Sequence, residues 1–89
     1  MLTITEMKRL NKEAGQHWFS EGAMKFFNTK IEAKPNKNNL FITSECPDGG
    51  VRRYTIRRFN PETYEVETAS EFWEFETLEE AKAARKQMK

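Results

Sequence analysis

The fold of this chain is decided by the stretch Arg52-Arg53-Tyr54-Thr55-Ile56-Arg57-Arg58-Phe59, then Asn60-Pro61-Glu62-Thr63, then Tyr64-Glu65-Val66-Glu67-Thr68. Alternation of apolar and polar residues over such lengths is typical of half-buried strands. The Asn-Pro pair between the two alternating runs marks a turn. The stretch therefore predicts an antiparallel hairpin with a basic first strand and an acidic second strand.

A tight turn over 60–62 fixes the pairing of the two strands. It places Ile56 opposite Val66 on one face and Arg57 opposite Glu65 on the other. A shift by one residue would move the apolar side chains to the charged face, which is costly where one face is buried. Cross-strand ion pairing is therefore the simplest explanation of the arginines and glutamates, because opposite charges on paired strands attract weakly.

Further strands flank the hairpin. Residues 28–33 predict a first strand, and Leu40–Glu45 predicts a second because it is rich in β-branched and aromatic residues. Cys46–Gly50 supplies the glycines that a tight turn requires. After the hairpin turn, residues 64–75 predict one long acidic strand with a break in alternation near Ala69, where a bulge is expected.

Capping motifs mark the beginnings of the helices. Thr3 and Glu6 form a capping box before an amphipathic run, and Thr77 and Glu80 form a second one near the C-terminus. Ser20 can cap a brief helix between the first helix and the sheet. The apolar residues after each box recur at helical spacing, so both helices are expected to pack on the sheet.

Length and composition restrict the class of protein. Eighty-nine residues predict a single domain, 1–89, and eleven aromatic residues argue against disorder. One cysteine cannot form an internal disulfide, and no apolar run is long enough to span a membrane. The sequence predicts a cytoplasmic α+β domain: a three- to four-stranded antiparallel sheet with an N-terminal helical segment and a C-terminal helix packed on one face.

The charges are distributed unevenly although the net charge is only +1. Residues 1–60 carry 11 basic and 6 acidic residues, whereas 61–89 carry 4 basic and 8 acidic residues, all the acids lying between Glu62 and Glu80. An acidic face with an aromatic anchor favours docking on a basic surface of another protein. The predicted partner-binding residues are Glu65, Glu67, Glu71, Trp73, Glu74 and Glu76.

The basic strand Arg52–Arg58 leaves an alternative open. Basic groups interleaved with aromatic rings can contact phosphates and stack bases. The predicted nucleic-acid-binding residues are Arg52, Arg53, Arg57 and Arg58. Against this function, Glu65 and Glu67 lie on the adjacent strand, and the small net charge does not favour unspecific binding.

No residue set predicts catalysis. His17 is the only histidine, and the sequence names no nucleophile or orienting carboxylate for it beyond Glu13 and Glu21, which are merely nearby. Cys46 precedes a proline and has no catalytic partner in the sequence. Phosphate-loop, dinucleotide and metal-ligand motifs do not occur. We therefore expect a protein that is not an enzyme and that binds no cofactor.

The densest apolar patch allows two interpretations. It comprises Trp18, Phe19, Met24, Phe26 and Phe27. Large aromatic residues usually pack in a core, here between the first helix and the sheet. Part of the patch could instead remain exposed as an anchor for a binding partner. The exposure of the individual rings distinguishes the two interpretations.

Four segments together resemble a known family. They are Leu10–Phe19, Met24–Ile31, the Arg-Arg-Tyr-Thr strand at Arg52–Thr55 and the helix start at Thr77–Lys82. This pattern resembles small proteins encoded by phages and prophages of bacteria, a domain of unknown function. The resemblance implies no catalytic residues. It implies a phage-encoded protein that binds and inhibits a host protein, an inhibitor of a defence nuclease complex (anti-CRISPR type) being one form, with nucleic-acid binding as the alternative.

Overall fold

The computed structural model describes residues 2–46 and 50–88. Its elements are α1 (Ile4–Glu13), α2 (Glu21–Phe26), β1 (Lys30–Ala33), β2 (Leu40–Glu45), β3 (Arg53–Phe59), β4 (Val66–Thr68) and α3 (Leu78–Lys86). The strands form one antiparallel sheet of order β1-β2-β3-β4, which confirms the α+β class. Residues 47–49 of the predicted turn at Cys46–Gly50 lie outside the described residues. Within the two described ranges, no helix is long and apolar enough to cross a bilayer.

The hairpin of β3 and β4 is present, but its register differs from the predicted one. Phe59 pairs with Val66, and Arg57 pairs with Thr68. The predicted pairs of Ile56 with Val66 and of Arg57 with Glu65 are therefore wrong by three residues.

The wider loop explains the different register. The side-chain oxygen of Asn60 accepts hydrogen bonds from the N–H groups of Glu62 (2.8 Å) and Thr63 (3.2 Å). The N–H of Tyr64 donates to the Asn60 carbonyl (2.8 Å), and Tyr64 adopts a left-handed φ of 64°. The Asn60 N–H then donates to the carbonyl of Glu65 (2.9 Å). Residues that a tight turn would have placed in the second strand thus form the loop, as asparagine-led turns allow.

The predicted acidic strand is much shorter than expected. β4 ends at Thr68, and the chain then turns at 72–73, where Trp73 has a left-handed φ of 61°. A single antiparallel bridge between Tyr54 and Phe75 brings the chain back to β3. Glu71 and Glu74, which were predicted to lie in this strand, therefore belong to a turn and not to a strand face.

Alternate residues of β2 and β3 contribute to two cores on opposite faces of the sheet. The first core contains Leu40, Ile42, Ile56 and Ala81 of α3, and the second contains Phe41, Phe59 and Met7 of α1. We call these sides of the sheet the α3 face and the α1 face. The sequence predicts both helices on one face; the structure places them on opposite faces because every residue of the central strand β2 is buried.

Local capping is confirmed at the predicted positions. The Thr3 hydroxyl accepts from the Glu6 N–H (3.2 Å), and the Glu6 carboxylate accepts from the Thr3 N–H (2.9 Å). The hydrogen bond that the Thr3 N–H donates to the carboxylate is the main cause that lowers the pKa of Glu6, and the Thr3 side chain adds to it. Ser20 caps α2, and the Thr77 hydroxyl accepts from the Glu80 N–H (3.2 Å) at the start of α3.

Candidate binding cleft

An open cavity of about 350 Å³ lies on the α1 face between α2 and the turn at 72–73. We call it the aromatic cleft. Its side chains include Trp18, Met24, Phe26, Phe27 and Phe72, together with the buried residues Glu45 and Arg57. A concave, mainly apolar site with a few polar groups is the usual form of a binding site.

The abrupt end of α2 creates one wall of the cleft. Asn28 adopts a left-handed φ of 53°, and the Thr29 N–H donates to the Met24 carbonyl (2.7 Å), so the helix stops after six residues. Phe26 and Phe27 at this end have 74% and 37% of their surface exposed. Their ring centroids are 4.6 Å apart in an edge-to-face arrangement. The short helix therefore presents a pair of aromatic rings to solvent.

The structure divides the apolar patch between the two interpretations. Trp18 and Phe19 are half-buried, and each ring centroid lies 6.1 Å from that of Phe41 in the core. Phe26 and Phe27 remain exposed. The first two rings therefore belong to the core of the α1 face, and the last two to a surface.

The turn at 72–73 forms the opposite wall. Phe72 is 45% exposed, and its ring stacks on Trp73 with centroids 4.5 Å apart. The Trp73 N–H donates to the Thr55 hydroxyl (2.9 Å), which fixes the turn to β3. Phe72 also lies 6.1 Å from Phe27 across the cleft. Phe72 therefore presents an aromatic ring to solvent on this side of the cleft.

A buried polar network lies beneath these rings. Arg57 Nη2 is 3.4 Å from Glu45 Oε2, and the two side chains are only 9% and 1% exposed. Arg57 also donates to the hydroxyls of Thr43 (3.1 Å) and Thr68 (2.7 Å). The Thr55 hydroxyl donates to the second Glu45 oxygen (3.3 Å). The pair is thus surrounded by hydrogen bonds, as a buried ion pair requires.

The guanidinium of Arg57 also lies between two aromatic rings. Its central carbon is 5.5 Å from the Trp18 centroid and 5.3 Å from the Phe72 centroid, within the range of cation–π contacts. Burial lowers the pKa of Arg57, and the charge and hydrogen bond of Glu45 oppose this shift. An arginine remains charged under these conditions. The position that a ligand cation could take between the rings is therefore filled by the chain itself.

The predicted partner-binding residues separate into groups. The five glutamates are exposed, and Trp73 is half-buried. Glu71 and Glu74 lie in the same turn as Phe72 and Trp73, with the Glu71 N–H donating to the Glu74 carboxylate (3.0 Å). Glu67 is opposite Arg58 and therefore lies on the α3 face, away from the cleft. The remaining two residues of the set, Glu65 and Glu76, lie in the hairpin loop and just before α3.

The four arginines of the nucleic-acid alternative do not form one basic surface. Arg52 donates to the carbonyl (3.0 Å) and hydroxyl (2.8 Å) of Ser44, and Arg57 is buried in the network. Arg53 lies on the α1 face, with its Nε buried and without a partner, whereas Arg58 lies on the α3 face opposite a glutamate. The alternation of the strand therefore divides the arginines between opposite sides of the sheet.

His17 and Cys46 are placed apart from the cleft lining. His17 is exposed, and the buried thiol of Cys46 donates to the Gly50 carbonyl (2.9 Å). Across residues 2–46 and 50–88, no group of three or more histidine, cysteine or acidic side chains is placed to hold a metal ion.

None of the described residues that line the cleft belongs to the predicted partner-binding set. Phe26 and Phe27 carry a local signal, because two adjacent large rings at the end of a short helix cannot both turn inward. Glu45 carries a weaker signal, an acid at the end of an otherwise uncharged strand. Its partnership with Arg57 requires the register of β2 on β3, which the sequence pattern does not supply.

Residues 3–86 match the model of a family described as a family of unknown function, DUF7447. No curated protein and no solved structure matches the chain. The match extends from the N-cap of α1 to the last residue of α3, so it includes both cores and the aromatic cleft.

Proposed function

The chain belongs to the DUF7447 family of unknown function, and we propose that this protein is a non-enzymatic binding protein that docks on another protein through the aromatic cleft. The observation that carries the proposal is the exposure of three phenylalanines, Phe26, Phe27 and Phe72, around one concave surface. Only four large apolar side chains are exposed in the described part of the chain, and three of them line this cleft. Clustered exposed apolar residues are typical of interaction sites.

The chemistry of the cleft restricts the partner. Because Arg57 already fills the cationic position between Trp18 and Phe72, an apolar side chain of the partner suits the remaining space better than an ammonium group. Exposed Glu71 and Glu74 beside the cleft favour basic residues around that anchor. We therefore propose a partner protein with an apolar anchor residue in a basic surface.

The biological form of this binding is inhibition of a host protein. The resemblance to small phage-encoded proteins supports a phage origin, action in the bacterial cytoplasm and a host target such as a defence nuclease complex. A small domain that covers a functional surface of its target inhibits by occlusion and needs no catalytic residues. Nucleic-acid binding by the basic strand has less support, because two of its four arginines, Arg52 and Arg57, hydrogen-bond within the domain.

Affinity capture followed by binding measurements on the purified complex tests this function. The bait is the full chain, and the captured host protein is identified, purified and titrated. Replacing an interface anchor commonly removes about 2 kcal/mol or more of binding free energy, so we expect Phe26→Ser to raise Kd by about 30-fold. Addition of the wild-type protein should inhibit the captured protein at stoichiometric amounts.

Val51→Ser is the matched control. Val51 is 83% exposed but does not line the cleft, so its replacement removes a similar exposed apolar group elsewhere. We expect this variant to bind as the wild type does. Capture of no host protein at low salt, or equal binding by the Phe26 and Val51 variants, would show that the cleft is not the docking surface.

A further inference from the structure

A second cavity, of about 210 Å³, lies between α1 and the loop that precedes α2. It is lined by Lys8, Asn11, Lys12, His17, Phe19 and Ser20 and shares no lining residue with the aromatic cleft. We call it the cationic pocket. We propose that the cationic pocket binds the phosphate group of a small molecule, either inorganic phosphate or a phosphate monoester.

The charge of the lining is the first argument. Lys8 and Lys12 are four residues apart on α1 and so lie on the same side of the helix. No carboxylate is among the described residues that line the pocket. The acids adjacent in sequence to the lining residues are Glu13 and Glu21, and each pairs with a cation of its own helix, at 3.3 Å and 2.8 Å. The pocket is therefore a site of positive charge in a protein whose net charge is close to zero.

The rigidity of the surrounding loop is the second argument. Asn11 is fully buried; its side-chain N–H donates to the Tyr64 carbonyl (2.7 Å), and its side-chain oxygen accepts from the Trp18 N–H (2.8 Å). His17, just before Trp18, has a left-handed φ of 55°, and its carbonyl accepts from the Ser20 N–H (3.1 Å). The backbone of the loop is thus held in place without a ligand, which reduces the entropy lost when the pocket binds one.

The donors and the volume together select a phosphate group. The two ammonium groups, the imidazole and the Ser20 hydroxyl can all donate; the hydroxyl oxygen accepts from the Ala23 N–H (3.3 Å), and its hydrogen remains available. Lysine is a common phosphate ligand because its ammonium acts as a compact point charge. The volume equals that of about seven water molecules and is below that of pockets for drug-sized ligands. A phosphate group therefore fits inside, and the rest of a larger ligand would lie outside.

NMR titration of the full chain with inorganic phosphate and, separately, with a nucleoside monophosphate tests the proposal. Both titrations are repeated with chloride at equal ionic strength. We expect phosphate-specific shifts confined to the residues that line the pocket. The double variant Lys8→Gln/Lys12→Gln should raise the Kd for phosphate by about tenfold or more, because it removes two charge-assisted hydrogen bonds, each of which is strong. Lys82→Gln on α3, another exposed lysine, is the control and should leave Kd unchanged.

Saturable binding of either phosphate compound at the pocket supports the proposal, and the tighter of the two identifies the source of the phosphate group. Equal chemical shift changes with chloride would overturn the proposal, and so would an equal loss of phosphate affinity in the α1 double variant and in Lys82→Gln. In either case the binding would be unspecific electrostatic attraction. Binding of a single-stranded oligonucleotide alone would also overturn it, in favour of a nucleic-acid surface. This test is independent of the proposed docking function, because Phe26→Ser should leave the Kd for phosphate unchanged.

Discussion

The α3 face and the α1 face of the sheet are built by alternate residues of the same strands, yet they bury different chemistry. The α3 face buries the aliphatic residues Leu40, Ile42 and Ile56 against α3. Beside its apolar core, the α1 face buries the polar residues Thr43, Glu45, Thr55 and Arg57. A buried ion pair contributes little net stability compared with apolar packing of the same volume. The apolar cores of both faces therefore stabilise the fold, whereas the polar part of the α1 face, which lies beneath the proposed docking surface, contributes little net stability.

The covering of the two faces differs in the same way. A nine-residue helix, α3, closes the α3 face. Over the polar part of the α1 face, the described part of the chain places no comparable helix: Trp18 and Phe72 cover Arg57, and Phe72 is itself almost half exposed. Aromatic rings that shield a charge on one side and meet solvent on the other are well suited to a surface that a partner completes.

The largest expected effect comes from breaking the ion pair on the α1 face. Glu45→Leu leaves the Arg57 charge buried without its carboxylate, and we expect it to lower the free energy of unfolding by about 3–5 kcal/mol. The double variant Glu45→Leu/Arg57→Met should recover most of this loss, because both charges are removed together. Urea denaturation of the three proteins measures both quantities.

Glu62→Leu is the control for this comparison, because Glu62 is an exposed glutamate in the hairpin loop. Its effect should stay within about 0.5 kcal/mol. If the double variant were as unstable as the single one, the ion pair itself would stabilise the fold, and the distinction between the apolar cores and the polar part of the α1 face would fail.

The next largest effect is expected in the core of the α3 face. Ile42→Ala removes a fully buried aliphatic side chain that pairs with Ile56, and we expect a loss of about 3 kcal/mol in the free energy of unfolding. Thermal unfolding should show a matching decrease in Tm. Val51→Ala truncates an exposed aliphatic side chain and should change little. Similar Tm values for the two variants would argue against a closed apolar core on this face.

Local features of this fold follow from the sequence because the interacting groups are close along the chain. The capping box of Thr3 and Glu6 and the cap at Ser20 each connect residues three apart, and the structure contains both. The hairpin could be predicted but its register could not, because the side chain of Asn60 organises a wider loop than the Asn-Pro turn signal indicates.

Nonlocal features of the candidate site could not be predicted. Every residue of β2 is buried, so the strand has no alternation that would show whether one face or both faces of the sheet are covered. The placement of the helices on opposite faces could therefore not be predicted from the sequence pattern. Arg57 meets Glu45 only through the register of β2 on β3, and Phe72 reaches Arg57 only through the turn after β4. The exposed rings were recognisable as a patch, but their division between core and surface depends on where α2 ends.

A smaller effect is expected from the wall of the aromatic cleft. Phe72→Ala removes the contact with the Arg57 guanidinium (5.3 Å) and the stack on Trp73 (4.5 Å). Because Phe72 is almost half exposed, we expect a loss of only about 1 kcal/mol in the free energy of unfolding, the size of one such contact. Chemical denaturation measures it. A loss as large as that of Ile42→Ala would mean that this ring belongs to a core and not to a surface.

The smallest effect on stability is expected at Phe26, where the contrast between the two faces is sharpest. Its side chain is 74% exposed and contacts Phe27 at the end of a short helix, so Phe26→Ser should change the free energy of unfolding by no more than about 0.5 kcal/mol. The same change should weaken partner binding by about 30-fold, because an exposed anchor residue contributes to the free energy only when the partner buries it.

Ile42→Ala should show the opposite pattern, with a large loss of stability and no change in Kd for the fraction that remains folded. Parallel unfolding and titration experiments on these two variants separate stability from binding. Equal effects of both changes on both quantities would remove the distinction between the apolar core of the α3 face and the proposed docking surface on the α1 face.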